Sequence, residues 1–210
     1  VGVDLAAARA AIPMVAPRTF MGYRRANGQV GTRNMIAVCA TVNCSATVIR
    51  RAAEQVIASG ILADYPNVDG VVAFAHGTGC GMASDGPGFD NLQRVLWGHA
   101  THANVGAAVF VGLGCEVMQV ARMKSRFGGA LADRFHGLTI QDTGGTTKTI
   151  ARIVEQIHAL LPEVNKATRE PIPASELKVA LQCGGSDGFS GITANPALGI
   201  ASDLLVGLGG

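Results

Sequence analysis

Met35–Val42 reads MIAVCATV, an apolar, β-rich run that gives way at Asn43. Ser45 follows as a helix-capping residue, and Ala46–Ser59 carries a helical pattern that stops at Gly60. The same order recurs downstream. Gly70–Ala75 (GVVAFA) is a second strand, followed by the glycine-rich loop HGTGCGMASDGPG and a helix near Phe89–Ala100. Ala107–Leu113 (AAVFVGL) is a third strand, with a helix over Val117–Phe127. Leu138–Gln141 is a short fourth strand, and its loop, DTGGT, opens a long helix at about Thr147–Leu161. Strands that are apolar throughout need cover on both faces. The pattern therefore predicts an α/β fold, a doubly wound parallel sheet of Rossmann-like type with right-handed crossovers.

Working outward, residues 1–20 read as a linker with at most a short turn of helix at 4–11, and residues 21–161 as the Rossmann-like domain. Residues 162–175 hold Pro162, Pro171 and Pro173 with no periodicity and read as an exposed linker. Residues 176–210 read as the start of a second α/β domain, with a strand at Lys178–Gln182 and a helix from about Pro196 to Val206.

Composition narrows the function classes. Charged residues make up 15% of the chain and apolar residues 48%, the reverse of a disordered sequence. A net charge of +2 gives no electrostatic footprint for nucleic acid or for an anionic membrane. No stretch approaches the ~20 apolar residues that span a bilayer. The opening VGVDLAAARAAIPMVAP holds an acid and lacks a basic leader with a long apolar segment, so the expected location is the cytoplasm. From Leu5 to Ala53 there are seven arginines and no acid, a solvated face or an anion site. Five cysteines do not make a disulfide scaffold.

Their positions matter more. Cys44, Cys80, Cys115 and Cys183 each stand just beyond the carboxyl end of a predicted strand. Ligands of open parallel sheets bind at that edge. The four admit three readings: small residues packed at tight turns, ligands of a metal or iron–sulfur centre, or a nucleophilic thiol. Cys39, in mid-strand, is an internal control and reads as core. His76, four residues before Cys80, is a candidate ligand or acid–base group. Glu116 directly follows Cys115 at a helix start, as a cap or a functional carboxylate. Arg33 and Asn34, in the GTRN turn before the first strand, suit a carboxylate or polyol. Asn43 and Ser45 flank Cys44 and are candidate substrate-binding residues. The segment QCGGSDGFSGITANP places Ser186, Asp187, Thr193 and Asn195 around glycine backbone, which suits a polar ligand such as a sugar acid, with Asp187 as a base or a ligand for a hard cation. DTGGTTKT, with Lys148, offers an anion cradle but not P-loop spacing, and GLGCE and GTGCG both miss the third glycine of a dinucleotide fingerprint. No nucleotide cofactor is expected.

Six separated motifs then agree: GYRRANGQVGTRN, TVNCSATV, HGTGCGM, GLGCE, the GGT loop with TI after it, and LQCGGSDGFSGITANPALG. In wording and order they resemble the altronate/galactarate dehydratase family, which includes the large subunit of sulfolactate sulfo-lyase. The resemblance runs from about Phe20 to Leu205. One departure is Asn27, where family members often carry Asp. The resemblance implies β-elimination of water from an aldonate or aldarate, giving a 2-keto-3-deoxy acid. It implies a divalent metal, notably iron as Fe2+ or an iron–sulfur centre, held by the strand-end cysteines, with Arg33 as a second charge on the substrate anion. It also implies partner domains of the same enzyme before and after this stretch. Assembly into a homo-oligomer stays open, as do two other readings: a non-catalytic small-anion-binding or assembly module, and a sulfolactate sulfo-lyase. The expectation to test is one shared cleft, with Cys44, Cys80 and Cys115 near one another and lined by Arg33, Asn34 and Glu116.

Overall fold

The computed structural model describes residues 4–10, 12–127, 135–185 and 187–210. These fall into two compact units, one of residues 23–169 and one of residues 1–22 with 170–210.

The larger unit is built on β3 (Met35–Ala40), whose preceding strands β1 (Thr19–Arg24) and β2 (Val30–Gly31) are short. After β3 come α2 (Ala46–Ala58), β4 (Gly70–Phe74), α3 (Gly86–Ala100), β5 (Val105–Gly112), α4 (Val120–Phe127), β6 (Phe135–Thr139), the single turn α5 (Ile140–Thr143) and α6 (Thr146–Val164). Among the described residues, β3 to β6 form one sheet in the order β4-β3-β5-β6, and every neighbouring pair is parallel. The α/β reading therefore holds. β3 shows why. Ile36, Val38 and Ala40 face a core with Val48, Ile49 and Val56 of α2 and Ile153, Ile157 and Leu161 of α6. Ala37 and Cys39 face the opposite core, with Phe89 and Leu96 of α3 and Met123 of α4. Side chains alternate across a strand, so a strand covered by helices on both sides must be apolar at every position.

Some boundaries differ from the sequence pattern. The fourth strand starts at Phe135, and the predicted residues Ile140 and Gln141 belong to α5 instead. The linker expectation for 162–175 is corrected in part. Pro162 lies within α6, and Glu170–Pro173 forms a strand, β7, with Ile172 fully buried.

In the smaller unit, Asp4 caps α1 (Leu5–Ala10) by accepting from the Ala6 and Ala7 amides, at 3.0 and 3.1 Å. The first half of β1 pairs antiparallel with β7, from Thr19 opposite Pro173 to Gly22 opposite Glu170. No strand forms at Lys178–Gln182, a second correction: those residues are largely exposed and lie in no sheet. α7 (Ala194–Gly207) follows, with Leu198, Ile200, Leu204 and Val206 exposed.

Candidate functional site

The sheet order places the ends of β4, β3 and β5 side by side, and each end carries a cysteine. Cys44 sits in the helical turn Asn43–Ser45 after β3, Cys80 in the loop after β4, and Cys115 in the turn after β5. All three are exposed. Cys44, on the central strand, responds to both neighbours. Its thiol is held above the usual range, first by desolvation at the rim, then by the neighbouring Cys80 thiol and by Cys115. The loops are stitched together beneath it. The Asn43 amide donates to Thr78 O at 2.8 Å. Gly79 has φ +99°, and a β-carbon there would stand 2.8 Å from Thr41 O, so only glycine lets this loop lie against the end of β3. Cys39 differs in every respect. It is fully buried, and burial pushes its thiol up to about 12.

The other expected residues divide sharply. Asn43 is on the rim, where its Oδ1 accepts from the Cys44 thiol at 3.6 Å. Ser45 is buried and shares its hydroxyl between Val42 O (2.9 Å) and Val111 O (2.7 Å). His76 lies beside the rim with both ring nitrogens engaged by backbone. Thr78 N–H donates to Nδ1 at 3.2 Å, which leaves Nε2 to donate to Ala40 O at 2.9 Å. Glu116 is 5% exposed and accepts from Thr41 Oγ1 and from the Gly114 amide.

Arg33 and Asn34 require a correction of place. They precede β3, and so stand at its amino end, while Cys44 follows its carboxyl end. Six residues at about 3.3 Å each put roughly 20 Å between them. Asn34 is fully buried and donates to Asn67 O (2.7 Å) and Val164 O (2.9 Å), a structural tie between loop and helix. The expected common cleft therefore loses both residues.

In the smaller unit Cys183 is exposed, and Asp187 accepts from the Phe189 and Ser190 amides at 2.8 and 2.9 Å, closing its own turn. The Thr193 hydroxyl donates to Phe189 O at 3.0 Å, and Asn195 is exposed in the first turn of α7. Ser186 lies outside the described residues.

The sequence reading missed Thr41 and Gln141. A polar residue at the end of an apolar strand was the available signal for Thr41. Beyond β6 a cleft of about 790 Å³ opens, lined by Lys124, Thr139, Asp142, Thr143, Lys148 and Arg152. It adjoins the DTGGTTKT segment singled out from the sequence. Among the described residues, no group of three or more His, Cys, Asp or Glu side chains is placed to hold a metal ion, and no helix is long and apolar enough to cross a membrane.

Comparison with known families matches residues 22–165 to the second domain of D-galactarate dehydratase/altronate hydrolase, and residues 174–210 to the C-terminal domain of D-galactarate/altronate dehydratase. The chain belongs to the galactarate/altronate dehydratase family. It is 37% identical to the altronate dehydratase of Bacillus subtilis (strain 168) over 194 residues, 92% of this chain and 37% of that protein. It is 40% identical to the L-threo-forming galactarate dehydratase of Escherichia coli (strain K12) over 204 residues, 94% of this chain and 39% of that protein. It is also 32% identical over 190 residues to (2R)-sulfolactate sulfo-lyase subunit beta of Chromohalobacter salexigens, covering 90% of this chain and 44% of that protein. The chain thus spans about two fifths of these curated relatives. Its family domain boundary, between residues 165 and 174, falls where the larger unit ends at Arg169.

Proposed function

We propose that this chain is the thiol-bearing part of a cytoplasmic sugar-acid dehydratase, which removes water from an aldonate or aldarate such as altronate or galactarate to give a 2-keto-3-deoxy acid. The observation that carries this reading is the row of thiols on neighbouring strand ends, Cys80, Cys44 and Cys115, in a member of that family.

The donor set fits iron chemistry. Thiolates are soft ligands, and Cys44 responds electrostatically to both companions. Cysteine thiolates are also the ligands of iron–sulfur centres. Cys44, Cys80 and Cys115 would hold one. Such a centre, when bound, supplies a Lewis acid to a substrate oxygen. The chain's own contribution is to orient the substrate. Asn43 presents an amide beside Cys44, and the cleft bearing Lys124, Lys148 and Arg152 offers positive charge to a carboxylate. That cleft takes the role first expected of Arg33.

The test is anaerobic reconstitution of the chain with ferrous iron and sulfide, followed by metal analysis. Bound iron should be lost in Cys44→Ser, Cys80→Ser and Cys115→Ser and kept in Cys39→Ala. A wild-type chain that takes up no iron would overturn the metal reading. Substrate class is read from binding of altronate, galactarate and sulfolactate, with Lys148→Met weakening whichever binds. The sulfolactate arm is included because the sulfo-lyase subunit is among the relatives.

A further inference from the structure

We propose that Glu116 is a positioning residue: its carboxylate clasps the Cys115 turn to the end of β3 and so holds Cys115 in register with Cys44. The proposal rests on the reading above that these thiols form the working rim.

The carboxylate lies between two strand ends. Oε1 accepts from the hydroxyl of Thr41, the first residue after β3, at 2.9 Å. Oε2 accepts from the amide of Gly114, two residues after β5, at 2.6 Å. Thr41 leads through Val42 and Asn43 to Cys44, and Gly114 is bonded directly to Cys115. Glu116 has no cationic partner among the described residues. Both oxygens are taken by donors of the fold itself in a buried place, so the group is spent on structure rather than presented to a ligand.

The backbone is cut to admit this side chain. A β-carbon on Gly112 would stand 2.0 Å from Glu116 Oε1 and 3.0 Å from Thr41 Oγ1. Gly114 has φ +123°, and a β-carbon there would meet Gln141 Oε1 at 2.5 Å. The two glycines of GLGCE, which do not complete a dinucleotide fingerprint, are thus explained. One vacates the space for the carboxylate, and the other turns its amide toward it beneath Gln141.

The Cys44 turn has a further tether of its own, whereas the Cys115 turn is otherwise joined to later segments of the chain, by the Gln141 amide to Leu113 O at 3.0 Å and by Gln119 Nε2 to Gly114 O at 3.4 Å. Ser45 Oγ and the Thr41 amide both donate to Val111 O, at 2.7 and 3.0 Å. Loosening the clasp should therefore free Cys115 and leave Cys44 in place, and removing Ser45 should do the opposite. A residue serving only global stability would not produce that split.

The experiment is per-cysteine alkylation of the whole chain by iodoacetamide, read by mass spectrometry, with hydrogen exchange at Gly114. One lost hydrogen bond is worth a factor of about five in the open population. Glu116→Gln should raise the Cys115 rate and the Gly114 exchange rate by at least about that factor and change Cys44 by less than about twofold. Thr41→Val, which removes the Oε1 donor but keeps the carboxylate charge, should move Cys115 the same way, and Thr41→Ser should restore it. Ser45→Ala should shift Cys44 alone. Unchanged Cys115 and Gly114 rates in both Glu116→Gln and Thr41→Val would overturn the proposal, as would a rise shared by all five cysteines including Cys39. If Glu116→Gln does not fold, the Thr41 pair decides alone. The assay contains neither iron nor substrate, so a failed clasp and a failed metal reading give separate results.

Discussion

The guanidinium of Arg169 lies 4.6 Å from the centre of the buried Tyr23 ring while it donates to Asp69 Oδ1 at 2.8 Å and to Thr32 O at 3.1 Å. Asp69 in turn accepts from the Asn34 amide at 2.7 Å, and Tyr23 donates to Asn67 O at 3.2 Å. The GYRRANG and GTRN motifs thus fasten the amino end of the sheet, away from the thiols. Asp69→Ala and Arg169→Leu should each lower stability by about 1–3 kcal/mol in urea unfolding, because each strands a polar partner. Neither should change the alkylation rates of Cys44, Cys80 or Cys115 in the folded chain. A selective shift in those rates would contradict the separation of the two ends.

Alkaline stability should depend on Cys39. Its thiol is raised from 9.0 to about 12 by burial, so the folded chain keeps a proton that the unfolded chain loses. That contribution is complete below pH 9 and is lost as pH rises toward 12, by roughly 1.4 kcal/mol per unit. Tyr23 is also raised, by burial first and then by Asp69, and adds to the loss above pH 10. Cys39→Ala should flatten the limb from pH 9 to 10, seen by thermal melting across that range. An unchanged slope would show that Cys39 does not set it.

His136 acts in the opposite direction. Burial first, then the Lys124 charge, holds its imidazole below the usual 6.5, so the unfolded chain takes up the proton more readily. The stability it confers is present above 6.5 and is lost as pH falls. Lys124→Ala should bring its titration, followed by ring-proton NMR, back toward 6.5 without reaching it, because burial remains the larger cause.

Gly112→Ala should be severe. The added methyl falls on Glu116 Oε1, so the carboxylate must leave its two donors. A loss of at least about 2 kcal/mol is expected in denaturant unfolding. Gly28→Ala meets no atom within 4 Å, and its positive φ alone should cost about 1 kcal/mol. Equal losses would deny the packing argument at Gly112.

The parallel sheet was legible because strands covered on both faces leave an unbroken apolar record, as Met35–Ala40 does. β7 was not legible. Its sequence, EPIP, carries two prolines and reads as a linker, yet a strand paired on one side tolerates proline. Lys178–Gln182 erred the other way: it has strand composition, but strands are made by partners. At the site, the three thiols were legible from their place after the strands. Arg33 and Asn34 were assigned by chemical type, although residues before a parallel strand necessarily stand at its far end. The tethering of His76 and Glu116 draws on groups distant in sequence, Ala40 O and the Thr41 hydroxyl, which no local pattern records.

The sheet order also sets when the fold can form. β3, the first strand of the parallel sheet to be synthesised, is an inner one, flanked by β4 and β5. Parallel partners need a crossover between them, so Ile36 and Val38 stay without a neighbour until Gly70–Phe74 has been made. Asn34 waits longer still, since one of its two acceptors is Val164 O, at the end of α6. The larger unit therefore closes late, and a ribosome that pauses before α6 is made would hold a chain whose central strand lacks the cover of Ile153, Ile157 and Leu161 on one face, a stage at which such folds are prone to associate wrongly.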